Sequence, residues 1–475
     1  MKNSFAFNIY RSVISHPRQW VLMLIFNVLG IFCVINSAQE IKKTSLETEN
    51  LQASFQAQWL NQGAKSPHAA AHFGIWVLKP TTALHFLEPG YTQFTGSAVW
   101  LEAHKQNLTK YVPVTDKVFL DRLIRLDVAS MMQIFIPLYI LLLSFSLFSS
   151  EKERETLPFI LGMGISKWSY FRQKYFAQAG FIFLSLIPFW AALIFQYLGI
   201  MQSADSDPEI PFRTLTLLGI QALYFLLFLL FISAFSLYWR QSSIVLLVSF
   251  VWWAGSILII PKISSQVAGL VYPLPSQEAF LNDVAKDLEN GMDGHSPSDQ
   301  RRKDLEKATM AKYNVSSMDS LPVNFAGIAL QATEEYGYRV FEKHFGKLDQ
   351  LLYKQDRLNM LIGCVSPYIP MKDLVALAAG TDAVHHNVFS VQAEGKRREM
   401  NELLNQFMTN TKIEDGVALE TSDAIYSALQ PFKFDLPNLG KMFGFRWPAI
   451  IIFLLQGTLA MWFIRKALNK HISYE

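Results

Sequence analysis

The chain has 475 residues, of which 51% are hydrophobic, 14% aromatic and only 17% charged, against about 25% charged in an ordinary soluble domain. That deficit, together with 37 Phe and 11 Trp, excludes an all-soluble enzyme and asks for lipid-facing segments. A mean hydropathy of only +0.20 leaves a large part of the chain in water, and the formal net charge of +3 becomes informative only through its distribution.

Residues 1–19 carry Phe5, Ile9 and Val13 at four-residue intervals, with Asn8, Ser12 and Ser15 between them, the pattern of an amphipathic helix lying at the lipid surface and broken near Pro17. Six stretches then have the length needed to cross about 30 Å of hydrocarbon: residues 20–38, 128–149, 175–200, 214–239, 243–261 and 447–464. None contains Asp, Glu, Lys or Arg, so they lack the buried charges of a proton-driven carrier. The first is read as a retained anchor, because its apolar run exceeds the about 7–15 residues of a signal sequence and Asn36 is a poor residue before a cleavage point. The short segments on one side (1–19, 150–174, 240–242 and 465–475) hold twelve basic and four acidic residues, a net +8, and the remaining 30 basic and 35 acidic residues sum to −5. The basic side is expected to be cytoplasmic, with both termini inside.

The outer segments are very unequal: residues 39–127, a short link at 201–213, and residues 262–446. In the first of these lobes, Pro80, Pro89 and Gly90 mark turns. Glu102, His104, Lys105 and Asn107 bring donors and acceptors together near a turn, as candidates for contact with an external partner; local hydrogen bonding is the preferred reading of them. His68 and His72 share a helix face at i and i+4, but two imidazoles bind a metal weakly and no Glu follows His68 to complete a His-Glu-x-x-His site, so no metal is expected.

The loop at 150–174 begins Glu151-Lys-Glu-Arg-Glu-Thr-Leu157 and continues through a short apolar run, Gly162, Ser166 and Lys174. A charged run, a short apolar helix and a second basic run make either an interfacial loop or a docking element for a partner. Within the spans, Phe228, Phe231, Trp252 and Trp253 are candidates to line a pathway, although packing against lipid or neighbouring helices is the preferred reading of them. Pro137 and Pro188 are expected to kink their helices.

The last lobe is helical in period. Helices are expected at 277–290, 298–313, 326–361 and 384–408, with breaks at Ser366-Pro367, Ile369-Pro370 and Gly380. Phe341, Phe345, Leu348, Leu352 and Leu358 mark the apolar stripe of the longest, which leaves Glu334, Arg339, Lys343 and Lys347 for the wet face. His385 and His386 would point about 100° apart on a helix. No catalytic constellation and no Gly-x-x-x-x-Gly-Lys-Ser/Thr phosphate cradle occurs. Cys33 and Cys364 are too few for a zinc cluster and are expected to form no internal disulfide.

The run from Glu151 resembles the Glu-x-Glu-x-Gly-Thr-Leu pattern of ABC-2 type permeases, in which a coupling helix, a Ser and a basic residue opening the next span follow. Glu151, Glu153, Thr156, Leu157, Gly162, Ser166 and Lys174 match, and Glu155 stands where the pattern usually has Gly. The N-terminal amphipathic stretch is similar to the connecting helix of such permeases. Blocks 70–80, 87–90 and 96–107 resemble the subgroup with large extracytoplasmic loops, often labelled multicopper enzyme maturation permeases. The resemblance implies an all-α membrane protein with six transmembrane helices in the ABC-2, type V exporter-like arrangement, and two extracytoplasmic, mainly helical lobes.

It also implies a bacterial inner-membrane permease with periplasmic lobes that exports a peptide, metallophore, lipid or similar compound. The chain would bind no cofactor, with ATP and Mg held by a partner ATPase subunit that docks on residues 150–174. A second permease, identical or related, would complete the pathway; a periplasmic protein is a further candidate partner and nucleic acid is not. Charge reversal at Glu151 and Glu153 is expected to uncouple the ATPase and leave the fold intact. The alternative is a non-transporting scaffold that relays ATPase movement to periplasmic or outer-membrane partners.

Overall fold

A computed structural model describes residues 17–92, 94–110, 125–202, 208–411, 419–421 and 423–470. The amphipathic stretch expected from Phe5 to Ile14 lies outside the described residues. In chain order the elements are α1 (Pro17–Leu60), α2 (Pro67–Phe73), β1 (Ile75–Leu78), β2 (Ala98–Leu101), α3 (Val128–Glu153) and α4 (Leu157–Gly162). They continue with α5 (Lys167–Ser185), α6 (Ile187–Met201), α7 (Ile210–Tyr238), α8 (Ser242–Val271), α9 (Gln277–Asn290), α10 (Ser298–Tyr313) and α11 (Phe325–Ile362). The last are α12 (Tyr368–Ala379), α13 (Ala383–Asn410), α14 (Asp423–Ala428), α15 (Leu439–Phe445) and α16 (Trp447–Lys470). The chain is an all-α membrane protein in its bulk, 77% helical. Among the described residues, five helices have the length and apolar composition to cross a membrane, and α5 with α6 make a sixth if that pair, bent by 53°, is one span.

Helix α1 does not stop at Ala38. Residues 39–60 contain no Gly or Pro and are rich in Glu, Gln, Lys, Leu and Ala, so nothing ends the helix, and it projects about 33 Å beyond the expected span. Its first half leaves Trp20, Leu24, Val28 and Phe32 exposed, as a helix facing lipid does. At its far end Trp59 is fully buried, meets Tyr426 edge-on at 5.5 Å and donates its indole N–H to the Tyr426 carbonyl at 3.1 Å.

At Pro137, Pro261 and Pro188 the backbone groups freed within the apolar helices are taken up by side chains. In α3 the helix widens to a π turn at Met131–Phe135, just before Pro137. The carbonyls of Met132, Gln133 and Ile134 then accept from Gln221 Nε2 at 2.9 Å, Tyr224 Oη at 3.3 Å and Trp253 Nε1 at 3.2 Å. Helix α8 repeats the device with a π turn at Gly255–Ile259 before Pro261, where Ser366 Oγ donates to the Ser256 carbonyl at 2.6 Å. Between α5 and α6, Asn27 bridges the break ahead of Pro188: its Nδ2 donates to the Ser185 carbonyl at 2.8 Å and its Oδ1 accepts from the Phe189 N–H at 3.1 Å. Lipid offers no such partners, so bends survive only where neighbouring helices supply them.

The first lobe is less helical than expected, because β1 and β2 pair antiparallel with Ile75 opposite Leu101 and Leu78 opposite Ala98. In the second, α9 and α10 match the expected limits, and α11 and α13 run two and three residues longer. Pro370 does not break the chain; it sits in the first turn of α12, where no intrahelical N–H is required. The two lobes share one core, in which Trp59, Ile75, Val77, Val99 and Leu101 pack with Phe389, Met400, Leu404 and Tyr426. Helix α12 carries Met371, Val375 and Ala378 into the main core of the spanning helices. Arg213 was assigned to the link ahead of the fourth span but lies in α7, fully buried, paired with Glu209 at 3.1 Å and donating to the carbonyls of Ala378 and Pro437.

Candidate functional site

The loop expected to carry coupling grows from the C-terminus of α3, which closes in a Schellman turn. The Thr156 N–H reaches the Glu151 carbonyl at 2.9 Å, and the Glu155 N–H reaches the Lys152 carbonyl at 3.3 Å. The left-handed residue such a turn requires is Glu155, with φ +58°. The glycine of the family pattern is absent, yet the backbone takes the shape that glycine would favour. Leu157 then turns inward to the main core, and Pro158 opens α4 at a position where its missing N–H costs nothing.

Glu151, Lys152 and Glu153 are held within the chain. Glu151 Oε2 pairs with Lys174 Nζ at 2.8 Å and accepts from the Tyr170 hydroxyl. Glu153 Oε2 accepts from Ser242 Oγ at 2.8 Å and from the Ser242 N–H at 3.2 Å, at the start of α8. Lys152 Nζ donates to the carbonyls of Leu237 and Trp239, both at 2.7 Å, at the end of α7. Ser236 Oγ accepts from the N–H groups of Phe148 and Ser149 at 2.9 and 3.0 Å. The loop is thereby stitched to the α7–α8 turn. The sequence reading missed Lys152, Ser236 and Ser242, although the basic residue inside the Glu-x-Glu run was a signal for the first.

Two expectations change here. Lys174 does not open its helix, which starts two turns earlier at Lys167; it is 7% exposed and packs on the rings of Phe148 and Tyr170 at 5.3 Å. Charge reversal at Glu151 would therefore put like charges together in a buried site and disturb the loop, so an intact fold is not its expected result. Ser166 caps α5, its Oγ accepting from the Ser169 N–H at 3.2 Å. Thr156 and Gly162 lie exposed at the loop, and at Gly162 a Cβ would meet no other atom. Beside the exposed charges of Glu153, Arg154 and Glu155, the loop presents two large apolar side chains outward: Phe159 is 77% exposed and Met163 66%.

The candidate pathway residues face one another instead of open space. Phe228, Phe231 and Phe235 surround Trp252 with ring centroids at 4.6, 4.8 and 5.6 Å. Trp253 is bound to the Ile134 carbonyl. Packing of α7 on α8, together with the carbonyl freed in α3, accounts for all four candidate residues.

The candidate external residues divide. Asn107 Nδ2 donates to the Glu102 carboxylate at 2.9 Å and to the Trp100 carbonyl at 3.0 Å, a local tie. Lys105 is exposed. His104 reaches across to the second lobe, where its N–H and its Nδ1 both lie 2.7 Å from Glu334 Oε1. Glu334 was assigned to the wet face of α11 but is 3% exposed, because α13 packs along α11 and brings Arg397 and Asn401 to its other oxygen at 3.1 and 3.0 Å. Burial pushes the Glu334 carboxyl up, and the hydrogen bonds from His104 and the charge of Arg397 outweigh it and leave it below the usual carboxylate range. His68 and His72 stand beside His104 in one cluster of three imidazoles.

A family model described as ABC-2 family transporter protein matches residues 10–279, more than half of the chain, and one described as a domain of unknown function (DUF3526) matches residues 277–434. The boundary between them falls where α8 gives way to α9. No curated protein and no solved structure matches the chain.

Proposed function

The chain belongs to the ABC-2 family of transporter proteins, and from that premise we propose that it is an exporter's permease, driven through residues 150–174 by a separate ATPase subunit. ABC-2 permeases are transport components without an ATPase domain of their own, and the sequence has no phosphate cradle. ATP and Mg therefore belong to the partner. The observation that carries the reading is the apolar tip of the loop, Phe159 and Met163, on a base tied to the ends of three spanning helices. A push on α4 passes through Glu151 to α5, through Lys152 to α7 and through Glu153 to α8.

In this reading α5 and α6 form one broken span, since a bend of 53° keeps the chain moving forward across the bilayer and a re-entrant loop would turn it back. Six spans place both termini and the loop on the cytoplasmic side of the bacterial inner membrane and the lobes in the periplasm, in accord with the basic residues of the short segments. Two permeases would enclose the pathway between them.

The test is Phe159→Asp, alone and with Met163→Asp. Because both side chains point away from the core, the variants should fold and reach the membrane as the parent does. They should lose co-purification with the ATPase and lose cargo-stimulated ATP hydrolysis at least tenfold. Retention of the ATPase by the double variant would overturn the docking role. The scaffold reading draws support from the single core shared by the lobes; it wins if ATP turnover responds to a periplasmic protein and no cargo moves.

A further inference from the structure

The imidazoles of His68, His72 and His104 converge for reasons written into the local backbone. Ser66 caps α2 by accepting from the Ala69 N–H at 3.2 Å, which sets His68 and His72 on one face with Nε2 atoms 3.2 Å apart. Gly74 ends α2 with φ +62°, and a Cβ there would collide with the Leu101 carbonyl oxygen, so helix and strand approach as only glycine allows. The Ala103 N–H then bonds the Ala71 carbonyl at 3.1 Å and delivers His104 beside the pair. Its ring lies 5.3 Å from that of His68 and 5.2 Å from that of His72, centroid to centroid. One ring nitrogen from each residue falls within 4.8 Å of the others.

His104 is also strained and oriented. Its φ of +63° is uncommon for a non-glycine residue, and such backbone strain gathers at binding sites. It is held by Glu334, whose Oε1 accepts from both the backbone N–H and Nδ1. A proton on Nδ1 leaves Nε2 with its lone pair, the state in which a carboxylate presents a histidine to a metal ion. Neighbouring nitrogens in a tetrahedral zinc site lie about 3.3 Å apart, given Zn–N bonds of about 2.0–2.1 Å. The His68–His72 pair already has that spacing, and a ring nitrogen of His104 lies within 4.8 Å of both.

We propose that His68, His72 and His104 form a three-imidazole site for a divalent late first-row transition ion, zinc or copper, with Glu334 as the positioning residue for His104. Imidazole is a borderline ligand suited to both ions, and copper(II) binds a given nitrogen set more tightly than zinc. His72 is exposed, so an ion can reach the site from solvent. The ligands belong to the first lobe and the positioning carboxylate to the second, so an occupied site would clamp the two together. This inference is independent of the transport reading.

The test uses the full chain in mild detergent, purified without a histidine tag and stripped with chelator. Zinc chloride, copper sulfate and cobalt chloride are titrated in separate arms, with bound metal counted per chain. The expected result is one ion per chain in excess of the His68→Ala/His72→Ala/His104→Ala variant, and intense visible cobalt bands from a four-coordinate site. His72→Ala, which removes an exposed side chain, should keep the metal-free melting temperature and lose at least tenfold in affinity. Glu334→Gln should weaken binding by about 10–100-fold with unchanged stoichiometry. Equal metal uptake by the parent and the triple variant, in both the zinc and the copper arms, would overturn the site; whichever arm saturates at the lower free concentration identifies the preferred ion.

Discussion

Glu155 occupies a left-handed backbone position where most helix ends place glycine. For an L-residue with a side chain that conformation costs about 1–2 kcal/mol, and the exposed ion pair of Glu155 with Arg240, 2.5 Å apart, returns little of it. Glu155→Gly is therefore expected to stabilise the protein by about 1 kcal/mol, whereas Glu155→Ala, which removes the ion pair and keeps the strain, should not. Thermal melting followed by tryptophan fluorescence reads both, and a Gly variant less stable than the Ala variant would contradict the strain. Asp373 poses a different residue-scale problem. Arg446 faces three carboxylates, pairing with Asp356 and lying 3.4 Å from Asp373 and 3.8 Å from Asp382. Burial pushes the Asp373 carboxyl up to about 7, against the pull of Arg446 and with the push of the other two carboxylates. The folded chain thus keeps a proton that the unfolded chain has lost above an ordinary carboxylate value of about 4. Stability should fall as pH rises from about 4 to about 7 through this group. Asp373→Asn should remove that part of the slope; identical pH profiles of melting temperature would rule it out.

At the scale of the element, the spans were legible from composition because lipid demands an unbroken apolar run, and all six expected stretches lie in apolar helices or a bent helix pair. Their ends were less so. Hydropathy reports where lipid stops and not where a helix stops, which is why α1 runs on to Leu60 and α5 begins before Lys174. The π turn before Pro137 and the bend before Pro188 were signalled by proline, but the groups that make them tolerable sit on other helices. Asn27, one helix away, serves both sides of the break before Pro188. Asn27→Leu leaves a buried carbonyl and a buried N–H without their partner, and each such loss costs about 1–3 kcal/mol. A fall of several degrees in melting temperature is expected; an unchanged value would show that the bend needs no bridge.

At the scale of the whole molecule, the sequence by itself determined the membrane class, the positions of the long apolar helices, the helices of the second lobe and the loop motif. Each of these is written in a local pattern: apolar length, a 3.6-residue period, or a short run of charges and glycine. Only the tertiary structure decided what those residues touch. It turned Glu151 and Glu153 from free charges into struts, moved Glu334 from water to the interior and set Phe228 and Trp253 against neighbouring helices. It also joined the two lobes through Trp59 and Tyr426, 367 residues apart in the chain, and brought a third histidine to a pair that alone was too few for a metal. Contacts of that kind depend on which faces meet when helices pack, and a periodicity fixes the face of one helix while leaving its partner unspecified.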